Sequence, residues 1–412
     1  INNYLKENNL MNLSKLSFVV ATSFMIFSCS NDQALKNRAN ELAQKFIITD
    51  GHIDTPWKLS KNYEDISMRT KTGDFDYVRA KEGGLNVPFM AIYIPSSYIE
   101  TGGAKEKADS LIDMVEQIAN KNPDKFEIAY NLADANRIFQ EGKVALPMGM
   151  ENGVGIEDDL SNLKYFYDRG IRYITLTHSQ DNLICDSSYD ESEDRWGGLS
   201  PYGRKVVKEM NRLGIMVDIS HVTDEVINQV MDMSDIPVIA SHSSCRHFTK
   251  GWERNMGDAE IRRLKENGGV IQINFGSRFV SPETDAYANN KQAAVEEYCS
   301  KPGSNCVNWT APDEFEEEYR KSNPYPYATT EQVVDHIDRV VELAGIDHVG
   351  IGSDYDGVGD SLPVGLKDVS SYPNLIYHLL KRGYSEEDIE KICYKNVWRV
   401  WAEVEAYAKN NS

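Results

Sequence analysis

The sequence predicts a parallel (β/α)8 barrel of the TIM type with a long insertion after the seventh strand. Three observations predict it. Eight short apolar runs alternate along the chain with segments whose apolar residues recur at helical spacing. No repeat of fixed period competes with that alternation. Finally, most of the runs end in a histidine or a carboxylate, and in a parallel barrel all such ends meet on one rim.

The runs are 46–52, 85–94, 144–151, 173–178, 215–221, 237–243, 270–275 and 348–354. Between them, residues 106–120 carry Ala108, Leu111, Met114, Val115 and Ile118 on one helical face. Residues 204–213 carry Val206, Val207, Met210 and Leu213, and Gly214 closes that helix. Residues 333–344 repeat the pattern and end before Gly345, and Ser385 with Asp388 opens a further helix as a capping box. Two stretches break the alternation. Residues 58–81 are polar and follow the first strand. Residues 281–330 are long, acidic and aromatic, and are expected to wall or lid the rim, since loops of that length are seldom idle.

The chain has 412 residues and a formal net charge of −20, with 64 acidic against 44 basic side chains. That balance argues against a nucleic-acid partner and against attraction to an anionic membrane surface. At the N-terminus, Met11 is the expected start, Lys15 a short positive region, and residues 16–27 an apolar run of signal-peptide length. Cys29 follows in the place of a bacterial lipobox cysteine, so the mature chain is expected to be exported to the periplasm or cell envelope and lipid-anchored at Cys29. The expected domain plan is therefore a leader over 1–28, a polar tether over 29–45, one catalytic domain over 46–405 and a tail over 406–412. Of the remaining cysteines, Cys299 and Cys306 are the expected disulfide, while Cys185, Cys245 and Cys393 read as buried or free thiols.

The chemistry-bearing residues sit at the strand ends. His52 and Asp54, two apart on a strand, share one face. Glu151, His178, His221 and His242 end the third to sixth runs, and Asp354 and Asp356 end the eighth. Four of the chain's eight histidines fall at these ends. His52 with Asp54 can hold one cation and His221 with His242 a second, Glu151 bridging the two. Paired cations of this kind clamp the attacking oxygen of a hydrolysis, and imidazole with carboxylate suits zinc without excluding manganese or cobalt. His178 reads either as a further ligand or as an oxyanion donor. Asp354 is the expected proton carrier and Asp356 a structural carboxylate. Arg254, in the loop after strand six, offers a fork for a substrate carboxylate.

These stretches resemble the membrane dipeptidase (renal dipeptidase) family of binuclear zinc peptidases. The likeness is carried by Asp50-Gly51-His52-Ile53-Asp54, Gly149-Met150-Glu151, Leu176-Thr177-His178-Ser179, Val217-Asp218-Ile219-Ser220-His221, Ser241-His242-Ser243-Ser244, Arg254-Asn255 and Gly352-Ser353-Asp354-Tyr355-Asp356-Gly357. The resemblance covers about residues 46–404. It implies two zinc ions per chain on His52, Asp54, Glu151, His221 and His242, with a bridging hydroxide as nucleophile. It implies an oxyanion role for His178, acid–base work for Asp354, and a substrate carboxylate on Arg254. It also implies dipeptide substrates that tolerate a D-residue at the C-terminal position, and a homodimer. Gly276 departs from the family, since animal members have a substrate-contacting tyrosine there. Two rival readings remain open: another binuclear hydrolase on the same barrel, such as a lactonase, phosphotriesterase or N-acyl-amino-acid hydrolase, and a non-catalytic lipoprotein that binds peptides or metal.

Overall fold

The strands close as the alternation requires. A computed structural model of the chain describes residues 32–411 except 191, 193 and 308; the expected start, leader and Cys29 lie outside the described residues. Eight strands form one parallel sheet in sequential order. They are β1 (Thr49–Ile53), β2 (Val87–Tyr93), β3 (Met148–Glu151), β4 (Ile171–Thr175), β5 (Met216–Asp218), β6 (Ile239–Ser243), β7 (Val270–Ile273) and β8 (Val349–Ile351). Their residues are buried almost throughout, as expected of a parallel sheet with a helical layer outside and side chains within. Beyond the end of β8, the Asp354 N–H donates to the His52 carbonyl (3.1 Å) and the Asp54 N–H to the Tyr355 carbonyl (2.8 Å), which joins the last strand to the first.

Local chemistry explains where the outer helices begin and end. Pro201 opens the helix Pro201–Leu213, the Ser200 side chain accepts from the Gly203 N–H, and Gly214 closes it at φ 82°. The helix Thr330–Leu343 starts in a reciprocal capping box between Thr329 and Gln332, and Ser385 with Asp388 forms the expected one. The bottom of the barrel is filled by the last helix, Asn396–Asn410, whose Trp401 ring lies 5.3 Å from Phe89. Phe89 in turn lies 5.4 Å from Tyr173. The interior is thus a packed column that supports whatever stands at the rim.

Three expectations need correction. The run 144–151 is not one strand: Pro147 has no N–H to donate and divides it, so Val144–Leu146 pairs outside the barrel with Phe126–Ile128. The tether expected over 29–45 is helical from residue 32, with Ala39, Leu42 and Ala43 buried against the core. The tail expected from 406 continues the last helix to Asn410 and buries Ala408. The insertion is ordered, as helices Pro282–Cys299 and Asp313–Ser322 with the Cys299–Cys306 disulfide between them. It packs largely on itself, Tyr287 against Tyr319 and Tyr325, and the second helix buries no residue. Among the described residues, no helix is long and apolar enough to cross a membrane.

Leu42 decides between a tether and a packed helix. Leu42→Ala is expected to lower unfolding stability by about 2–5 kcal/mol, the cost of emptying a buried leucine site. Urea denaturation measures it, and an unchanged midpoint would mean that the segment is not part of the core.

Candidate metal centre

The five expected ligands arrive from β1, β3 and the ends of β5 and β6. They meet around one carboxylate. Oε1 of Glu151 lies 3.1 Å from His221 Nε2, 3.3 Å from His242 Nε2 and 3.6 Å from His178 Nε2, and Oε2 lies 3.5 Å from His52 Nε2. His52 Nε2 is also 3.4 Å from Asp54 Oδ2. The Nε2 atoms of His221 and His242 stand 2.9 Å apart. Three overlapping groups have ligand atoms close enough to share an ion: His52, Glu151 and His242; Glu151, His178 and His221; and His52, Asp54 and Asp354. Both expected pairs are adjacent, His52 with Asp54 and His221 with His242, each beside one oxygen of Glu151. His242 also lies near His52, and His178 near His221, which keeps both roles of His178 open.

The donor chemistry fits a divalent cation. His52 Nε2 and Asp54 Oδ1 are buried without a hydrogen-bond partner among the described residues, and such orphans are costly unless something binds them. Burial, and after it the Arg254 guanidinium, holds His221 well below the usual imidazole range. Burial also lowers His178 and His242. Neutral imidazoles are the form that ligates. Burial opposes ionisation of Glu151 too, but the surrounding imidazoles outweigh it and hold the carboxyl well below its usual range. Burial pushes Asp54 up to about 8. His52 is pulled the other way: burial disfavours its charge, but Tyr173, Glu151 and Asp54 outweigh burial. A cation beside His52 would satisfy the same two carboxylates that now favour a proton there.

The backbone is bent to serve this convergence. His221 has φ 71° and Asp354 φ 63°, a left-handed conformation that costs non-glycine residues about 1–3 kcal/mol and gathers at functional sites. A Cβ on Gly357 would overlap the carboxylates of both Asp54 and Asp354, so only glycine lets that turn approach them.

A cavity of about 440 Å³ opens above the cluster. Asp54, Glu151, His178, His221 and Asp354 line it, with Trp57, Tyr93, Tyr189, Phe279 and Val358 as apolar walls. No residue of 281–330 lines it, so the insertion does not supply the expected wall; Phe279, just before it, does. Asp354 is held by Asn274 Nδ2, which donates to its Oδ2 at 2.7 Å. Asp356 is structural as expected, accepting from Thr55 Oγ1 (2.6 Å), Lys58 Nζ (3.3 Å) and the Asp74 N–H (2.8 Å). Arg254 is not on the cavity wall. It is buried, donates to Ser243 Oγ (2.8 Å) and to the His242 carbonyl (2.9 Å), and its Nε has no partner among the described residues. Its guanidinium lies 5.1 Å from the ring of the wall residue Phe279.

Several residues that shape the centre carry no motif of their own. Ser241 Oγ contacts His242 Nδ1 at 2.7 Å and donates to Asp218 Oδ2 at 2.6 Å. Asn274 and the aromatic walls are likewise visible only once the strands are closed. Parity offered one signal, since Gly149 and Glu151 on β3, like Tyr173 and Thr175 on β4, must share a face.

Comparison with known proteins agrees with the geometry. The model of the membrane dipeptidase family (peptidase family M19) matches residues 36–412. An uncharacterised dipeptidase of Schizosaccharomyces pombe is 32% identical over 386 residues, covering 90% of this chain and 84% of its own. The crystal structure of the probable dipeptidase PvdM from Pseudomonas aeruginosa superposes with a TM-score of 0.78 at 29% identity, covering 91% of this chain and all of that one. A metallopeptidase from Rhodobacter sphaeroides, solved with a phosphinate mimic of the dipeptide L-Ala-D-Ala, gives a TM-score of 0.70 at 25% identity over 87% of this chain and 99% of that one. The chain belongs to the membrane dipeptidase family, peptidase family M19.

Proposed function

We propose that the chain is an exported dipeptidase that works with two divalent cations, zinc in the first place with manganese or cobalt as substitutes. His52, Asp54, Glu151, His221 and His242 would hold them. The observation that carries this reading is the meeting of four imidazoles on the single buried carboxylate of Glu151. Bound there, the cations supply Lewis acidity that activates water and polarises a peptide carbonyl.

The remaining roles belong to the chain's own side chains. Asp354, on the cavity wall and steered by Asn274, takes up a proton from the attacking water and returns it to the leaving amine. His178 donates toward the carbonyl oxygen as charge develops on it; its place on the cavity wall beside Glu151 supports the assignment. Arg254 acts from behind the wall as a buried positive charge that draws the free carboxylate of a short peptide, supported by its unpartnered Nε. The relative solved with an L-Ala-D-Ala mimic supports acceptance of a D-residue at the C-terminal position. The apolar run 16–27 followed by Cys29 supports export and a lipid anchor.

Purified protein loaded with zinc is expected to release free amino acids from a dipeptide panel, including L-Ala-D-Ala, and a chelator is expected to abolish that release. C-terminally amidated dipeptides are expected to react more slowly. Chelator-resistant turnover, or preference for an uncharged ester or lactone, would favour the rival hydrolases. For the proton carrier, Asp354→Asn is expected to keep its metal content while kcat falls by about 10²–10⁴; unchanged kcat would remove Asp354 from the role.

A further inference from the structure

We infer that Tyr173 is a positioning residue for His52, fixing which imidazole nitrogen His52 presents at the rim, and that Gly149 exists to admit the Tyr173 ring. This deepens the proposed metal-dependent function and rests on it. Tyr173 stands on β4 and His52 on β1, so the phenol reaches across the barrel interior, and its hydroxyl lies 2.8 Å from His52 Nδ1. Both side chains are fully buried, so water does not compete for that contact.

The slot for the ring is built into the neighbouring strand. Gly149 is the register partner of Tyr173, and a Cβ at 149 would overlap the phenol ring itself. Gly149 and Glu151 share one face of β3. The same strand therefore supplies the central carboxylate and, one layer below, the space that lets a phenol approach the His52 ring. Phe89 packs against the Tyr173 ring at 5.4 Å and Trp401 against Phe89 at 5.3 Å, which backs the ring in its slot.

The contact has a chemical consequence. An imidazole that presents Nε2 to a cation keeps its proton on Nδ1, and that N–H needs an acceptor. The Tyr173 oxygen is the acceptor within reach of His52. His242 has a different arrangement, with Nδ1 on the Ser241 hydroxyl backed by Asp218, and His221 Nδ1 has no partner among the described residues. The three ring orientations are thus set independently, and the phenol governs one of them.

Zinc binding to metal-free protein, measured by competition with a chelator of known affinity, tests the inference without reference to turnover. Wild type is expected to bind in two steps. Tyr173→Phe keeps the ring and removes the hydroxyl; it is expected to weaken one step about 10–100-fold, the usual cost of losing an orienting partner, and to leave the other within about threefold. Gly149→Ala displaces the ring with its hydroxyl intact and is expected to weaken the same step. Two steps as in wild type for Tyr173→Phe would overturn the role of the phenol. Uptake of fewer than two ions by wild type would instead overturn the proposed metal centre itself. A measurement without substitution guards against a misfolded variant. Long-range ¹H–¹⁵N spectra of the zinc-loaded wild type are expected to show His52 metallated at Nε2 with a proton on Nδ1; binding through Nδ1 would overturn the inference.

Discussion

Everything at the rim depends on one buried carboxylate. Glu151, itself buried at the floor of the cavity, faces four imidazoles. Its charge is sustained by those rings, and they are oriented by it. Such an arrangement exists only if β1, β3 and the ends of β4, β5 and β6 are held in one register, because a slip of one residue would turn each side chain to the opposite face. The barrel is the device that prevents the slip. Asp50 shows how tightly the seam is held: fully buried, it accepts from the N–H groups of His52 and Ser353 and from the Tyr372 hydroxyl, tying the first strand to the last.

Beneath the rim lies a layer whose task is orientation. Tyr173, the Ser241–Asp218 pair and Asn274 each fix one group above them. The hydrophobic column of Trp401, Phe89 and Tyr173 gives that layer a floor. The left-handed conformations of His221 and Asp354 are the local cost of aiming their side chains at a common point, and the buried contacts around them offset it. Stability and function meet here without a boundary: the residues that fill the barrel also set the geometry of its mouth.

The fold and the cluster of polar side chains at the rim were legible in the sequence for a physical reason. A buried parallel strand leaves a continuous apolar run, and its last residue is the first able to carry a polar side chain toward the rim. His52, Glu151, His221 and His242 stand out on those terms alone. Asp356 was also legible as a structural carboxylate. Arg254 was less so: a loop arginine read from sequence looks free, yet its neighbours Ser243 and the His242 carbonyl hold it buried behind the wall. The polar segment before Phe46 hid a helix because, among its described residues, a single narrow face of Leu35, Ala39, Leu42 and Ala43 meets the core. The strand break at Pro147 was written in the sequence as a missing N–H. The self-packing of the insertion was not legible, since its aromatic residues Tyr287, Tyr319 and Tyr325 satisfy one another rather than the rim. Tyr173 escaped notice because its partner is 121 positions away.

Family membership describes a dipeptidase, and the geometry gathers its candidate metal-binding side chains around one carboxylate. Anomalous diffraction at the zinc absorption edge, on crystals of the zinc-loaded chain, tests that centre most directly. The account predicts two peaks, one on each side of the Glu151 carboxylate and both within bonding distance of it. A single peak, or two that leave Glu151 uncoordinated, would contradict it.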